Sequence, residues 1–416
     1  MPMKGGASGT EDAGRTGRGA GRQSAGAVFT AFLLLGLTSF GGPVAHIGYF
    51  REAFVARRRW LDDRAYADLV ALCQMLPGPT SSQVGIGIGL AKAGLPGAAA
   101  AWAGFTLPSA VIMLAFGYGV AAYEEAIPPG ALQGLKTVAA AVVAQAVWAM
   151  ARTLCPDAPR ATVAVLAAVA AVLAPSVVTH VALIAAGALA GLLFMRPAAG
   201  ERHVSLGIAV DRRLAVLLLG LFLALLVALP LLANSWPSQA LMLVDGFYRS
   251  ASLVFGGGHV LLPLLQAEVV PPGWVANETF VAGYGAAQAL PGPLFTFAAY
   301  LGAVAGIGPG GVPGGLLCLG AVFLPSFLLV VGALPFWEAL RRLAAAERAM
   351  LGVNAAVVGL LGAAFYDPIW TGGVRTPADL ALGLAAFVLL VFWKVPPWAV
   401  VILGALGGWG IGALAG

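Results

Sequence analysis

The pattern Gln-x-Leu-Pro-Gly-Pro occurs twice in this chain, at 74–79 and at 288–293, and each copy lies inside an apolar run long enough to reach across a bilayer. Pro-Gly-Pro cannot continue a helix: both rings lack an amide donor, and glycine favours other backbone angles. In hydrocarbon such a break survives only where it is buried in protein or lines a polar cavity. Paired interruptions in two halves of a membrane chain mark a binding site near the midplane, an arrangement found in transporters.

Composition agrees with a bilayer environment. Of 416 residues, 60% are hydrophobic and only 10% charged, against about 25% charged in soluble domains. Mean hydropathy is +0.91, so the expectation is an all-α polytopic membrane protein. The net charge of +5 needs no nucleic-acid partner, because positive loops are expected of membrane proteins. Cys73, Cys155 and Cys318 are too scattered for a metal or redox motif and read as small buried hydrophobes. No metal-ligand cluster, phosphate loop or nucleophile motif is present, so neither a cofactor nor a metal is expected, and the chain does not read as an enzyme. The first apolar run lacks a small-residue cleavage site, so no cleavable signal peptide is expected.

Residues 1–24 read as a flexible basic tail, with Lys4, Arg15, Arg18 and Arg22 arguing for a cytoplasmic N-terminus. Thirteen apolar segments follow, and the first six match the last six. Ser39-Phe40-Gly41-Gly42 corresponds to Val254-Phe255-Gly256-Gly257, Trp60 to Trp274, and Leu107-Pro108-Ser109 to Leu324-Pro325-Ser326. The expected organisation is therefore one repeat over 25–200, a linker with its own helix over 201–238, and a second repeat over 239–416. Six segments and one spacer put the second repeat in the membrane upside down, giving two inverted repeats.

Basic residues test the topology. If all thirteen segments cross, the N-terminal side holds fifteen loop Lys/Arg and the other side six, five of them in loop 51–65. If the broken segments 27–50, 66–91, 240–263 and 279–304 are instead re-entrant hairpins, the counts become twenty and one. Both versions stay open on sequence grounds.

Half-helices that begin in mid-membrane expose free N–H groups and the positive end of the helix dipole, which together attract anions. After Pro77-Gly78-Pro79 come Thr80 and Ser81, which add hydroxyl donors; after Pro291-Gly292-Pro293 the donors are poorer. Gly41 and Gly42, and Gly256 and Gly257, form a second pair of breaks that permit close approach of a ligand or of another helix. His46 and His259 follow these breaks and read either as proton-coupling or anion-contacting groups, or as packing histidines. Gln74 and Gln288 stand three residues before each Pro-Gly-Pro and could bond freed carbonyls or ligand oxygens. Lys136, inside a span, is a candidate counter-charge or a side chain that snorkels to an interface. Asp245 and Arg249, spaced i,i+4, read as a mutually neutralising structural pair.

Phe40-Gly41-Gly42-Pro43-x-x-His46-Ile47, Trp60-Leu61 and the two Gln-x-Leu-Pro-Gly-Pro motifs together resemble the chromate ion transporter family, in its long two-domain form. The likeness covers about residues 25–416. It implies thirteen spans, an inner-membrane location, and export of chromate with resistance to it. Sulfate shares chromate's charge and tetrahedral shape, so substrate choice stays open between them. The partners expected are thus a small oxyanion, the lipid bilayer, a proton as coupling ion and, for assembly, a homodimer.

Overall fold

The computed structural model describes residues 22–123, 128–196, 210–340 and 343–415, and every regular element among them is helical. The expected tail lies almost wholly outside these residues, as does the first part of the linker.

α1 (Ala25–Thr38) is capped by the Ser24 side chain and stops at the glycine break, where Gly41 takes φ 101°. α2 (Pro43–Phe50) starts on a proline at its first turn, where the missing N–H costs nothing, and runs on through a π turn, Arg51–Arg57. α3 (Asp63–Met75), capped by Asp62, ends at the first Pro-Gly-Pro. α4 (Thr80–Tyr123) is two arms, 80–92 and 95–123, parted by non-helical Ala93 and Gly94. The arms run antiparallel so tightly that a Cβ on Gly89 or Gly97 would collide with the other glycine's carbonyl oxygen.

α5 (Pro129–Leu154), α6 (Ala158–Leu173) and α7 (Val177–Phe194) complete the first half. α8 (Arg212–Ser235) joins the halves; its 24 residues span about 36 Å, and Leu217, Leu223 and Leu231 are exposed as lipid-facing side chains are. The second half repeats the plan. Its elements are α9 (Gln239–Ser252), α10 (Leu261–Val269), α11 (Asn277–Gln288), α12 (Phe297–Val304) and α13 (Gly311–Ala333). A short α14 (Trp337–Leu340) leads to α15 (Ala344–Ala364), a one-turn α16 (Thr371–Gly373), α17 (Pro377–Val391) and α18 (Pro397–Ala415).

The four interrupted segments fold back rather than cross. Were 27–57 a kinked crossing, Phe32 and Phe54 would stand on opposite sides of the break, roughly 25 Å apart at 1.5 Å per residue. Their rings stack with centroids 4.7 Å apart. Likewise Leu69 lies against Gly87, Arg249 reaches Glu268 at 3.0 Å, and Tyr300 Oη donates to the Thr279 carbonyl at 3.0 Å. Each pair joins the outgoing and returning arm of one hairpin. The single arms, of 8 to 15 residues, are too short for a hydrocarbon core about 30 Å thick.

Thirteen full crossings are therefore not what the chain makes, although all thirteen apolar segments are helical. Six helices among the described residues are long and apolar enough to cross; the one spanning 80–119 owes its reach to the second arm of α4. α6 and α17 fall short of that length.

The hairpins open at opposite ends of the bundle. Gln23 N donates to the Lys92 carbonyl at 3.0 Å, so both first-half hairpins have their bases where α4's second arm begins. That arm packs antiparallel to α13: Val312 N donates to Tyr118 Oη at 2.9 Å, and Trp102 meets Phe323 and Phe327. At the α13 start, Gly308 N donates to Gln239 Oε1 and Gly306 N to the Trp274 carbonyl, which places the second-half bases at the other end. The halves also exchange partners. α6 and α7 pack on α15, and α17 and α18 pack on α5, with Gly187 against Gly352 and Gly134 against Gly404. Glycine at these crossings lets backbones touch, the usual way helices associate in lipid.

Candidate functional site

The hairpin tips meet between the two sets of bases, and they meet reciprocally. Gly78 N donates to the Val254 carbonyl at 2.7 Å, and Gly292 N donates to the Ser39 carbonyl at 3.0 Å. Ser39 and Val254 are corresponding residues of the two halves, as are Gly78 and Gly292. Each Pro-Gly-Pro is thus seated on the other half's glycine break. The seats are tight: a Cβ on Gly78 would lie 2.8 Å from Ser326 Oγ, and one on Gly292 would lie 2.8 Å from Ser109 Oγ. Both glycines have φ in the left-handed region, 125° and 96°, which disfavours any side chain there.

This crossing of tips has an electrostatic result. Ser39 and Val254, at the ends of the first arms, spend their carbonyls on the opposite half's amides. The starts of the second arms remain free to face a common space. That space is a cavity of about 910 Å³. It is lined by Gly41, Gly42, His46, Pro79, Ser81, Gly256, Gly257, His259, Gln288, Gly292 and Pro293 from the sequence-selected set. The remaining members of that set do not line it. Gln74 is exposed on α3; Pro77 uses its carbonyl to accept from Gln83 Nε2 at 2.7 Å; Gly78, Thr80 and Pro291 are buried behind the wall.

Lys136 lies elsewhere. Its Nζ meets Glu278 Oε2 at 3.1 Å, and Glu278 also takes Arg375 at 2.6 Å. The cation that looked free in the sequence is neutralised beside the base of the α11–α12 hairpin.

Within the cavity, His46 Nε2 donates to the Ser39 carbonyl at 3.2 Å, which leaves Nδ1 to face the Ser81 hydroxyl at 3.4 Å. His46 therefore orients Ser81 from a buried position. His259 Nδ1 faces Tyr284 Oη at 2.9 Å, so its ring too is fixed by a neighbour. Gln288 Nε2 is a buried amide donor next to the open space, with the Tyr284 hydroxyl as its side-chain neighbour. Two polar residues escaped sequence reasoning. Gln145 contributes from the α5 face formed with Val142, Ala146 and Ala149, and Lys394 comes from the α17–α18 link at φ 53°. Lys394 reads in sequence as a loop charge at a span's end; only the packing of α17 and α18 on α5 brings it to the cavity. No Asp or Glu lines the cavity among the described residues, so its surface offers hydroxyl, amide, imidazole and ammonium groups without a carboxylate.

An all-helical membrane protein of two like halves, with broken hairpins meeting at a cavity into which a few polar side chains are placed, has the build of a transporter. The family model for the chromate transporter matches residues 26–192 and 241–409, and the chain belongs to that family. It is 30% identical over 393 residues to a chromate transport protein of Pseudomonas aeruginosa, covering 92% of this chain and 91% of that one. It is 27% identical over 391 residues to a chromate transport protein of Cupriavidus metallidurans, covering 90% of each. An uncharacterized transporter of Methanocaldococcus jannaschii is 28% identical over 345 residues, 80% of this chain and 82% of the relative. No solved structure matches.

Proposed function

We propose that the chain is a secondary transporter that carries chromate out of the cell across the cytoplasmic membrane and so confers resistance to it. The observation that carries this reading is the cavity between the hairpin tips, rich in donors and free of carboxylates. Ser81, Gln288 and the amides that start the second arms hold the oxyanion's oxygens, and Lys394 offsets part of its charge. His46 keeps Ser81 in place. The two halves act as inverted repeats, and alternating access comes from one set of hairpins rocking against the other about the tip-to-tip bonds. Support for the inversion comes from the bases lying at opposite ends of the antiparallel pair formed by α4's second arm and α13. Outward transport suits an interior-negative potential, which favours loss of a dianion by about 4.6 kcal/mol per 100 mV.

Sulfate fits the same donors, since the cavity recognises charge and tetrahedral oxygens. Reconstituted protein decides between them. Chromate counterflow, weakly inhibited by sulfate, is the expected outcome; flux of sulfate with no chromate counterflow would replace the substrate assignment.

A further inference from the structure

The α9–α10 hairpin holds a second polar centre, away from the cavity lining. Arg249 Nη2 meets Asp245 Oδ2 at 3.1 Å and Glu268 Oε2 at 3.0 Å. The side chains of Asp245 and Glu268 are 10% and 8% exposed, and that of Arg249 30%. Asp245 Oδ1 and Arg249 Nε are buried without a partner. The i,i+4 spacing makes Asp245 and Arg249 look self-neutralising. Glu268, brought back by the hairpin, breaks that balance: two carboxylates share one guanidinium.

Fully ionised, the trio carries one net negative charge under cover. Among the described residues the ion pairs of the trio join only its own members, and the Trp274 ring and Glu268 both lie beside Gly246 at the hairpin base. An uncompensated buried charge costs several kcal/mol, and one bound proton removes it.

We propose that Asp245, Arg249 and Glu268 form the proton site that couples transport, one proton being shared by the two carboxylates. This rests on the transport reading above. Arg249 bridges the two arms of the hairpin whose tip supplies Gly256, Gly257 and His259 to the cavity. A proton arriving on Glu268 weakens the arm-to-arm ion pair and frees the tip to move. Its release restores the bridge and locks the tip. Arg249, the more exposed member, marks the route by which the proton enters. The cavity histidines and Lys136 are relieved of the coupling role: both imidazoles are held by neighbours, and Lys136 is already paired.

The test has a chromate-free arm and a transport arm, both on the full chain in liposomes. By infrared absorption at neutral pH, the wild type should show the carbonyl stretch of a protonated carboxylic acid. E268Q and D245N should each lose it, because either change leaves a neutral pair with no proton to hold. In the transport arm, both variants should lose chromate accumulation driven by an imposed pH gradient while chromate counterflow persists. A wild-type protein without the band, a band unchanged in both variants, or gradient-driven accumulation equal to wild type overturns the proposal. Absence of counterflow in the wild type would instead overturn the transport reading, with the infrared arm still deciding the proton site.

Discussion

Alanine at position 78 tests the seating of one half's Pro-Gly-Pro on the other half. Gly78 holds φ 125°, where a side chain costs about 1–3 kcal/mol. The new Cβ would stand 2.7 Å from Gln83 Nε2 and 2.8 Å from Ser326 Oγ. Gln83 is fully buried and spends Nε2 on the Pro77 carbonyl, so displacing it orphans a buried pair at about 1–3 kcal/mol. Together these give roughly 2–6 kcal/mol against the joined tips, a shift of about thirtyfold at the lower bound. The assay pairs the thermal unfolding midpoint in detergent with chromate counterflow. G220A on exposed α8 is the control, since a Cβ there meets nothing within 4 Å. In an S326A background the G78A loss should shrink without vanishing, because the backbone strain stays. If G78A unfolds and transports like G220A, the proposed seating is wrong.

Removing the cavity's ammonium in K394A should raise the chromate half-saturation concentration about tenfold, the weight of a charged hydrogen bond, with little change in unfolding midpoint; a concentration curve for counterflow reads this directly. E278Q should strand buried Lys136 and lower stability by about 1–3 kcal/mol, discounted from a fully buried pair because Glu278 is well exposed. K136M in the same chain should recover most of that loss in the same unfolding assay. In a C155S background, R58C and R375C should react with a membrane-impermeant maleimide from opposite faces of the membrane, because loop 51–65 returns to the N-terminal side. Labelling of both from one face would restore the crossing version of the first segment.

Much of the architecture could be read from residues alone, because bilayer constraints act locally. Pro-Gly-Pro in an apolar run must break a helix wherever the chain goes, and the motif's recurrence revealed the duplication. The balance of basic residues pointed to hairpins through Arg51, Arg57, Arg58, Arg59 and Arg64, before any contact between Phe32 and Phe54 was in view. What stayed hidden depends on contacts between distant segments. The bond from Gly78 to Val254 joins residues whose separation carries no periodic signal. Lys394 reaches the cavity only because α17 and α18 pack on the other half's long helix. Lys136 looked like a free intramembrane cation because Glu278 lies in the other half. Glu268 was invisible as a partner of Arg249 because eighteen intervening residues fold back on themselves.

The account turns on where the oxyanion sits. A crystal of the full chain soaked in chromate and measured at the chromium absorption edge would locate the metal atom from anomalous differences alone. The prediction is one peak per chain between the hairpin tips, within reach of Ser81, Gln288 and Lys394. A peak elsewhere, with that space empty at concentrations that saturate transport, would contradict it.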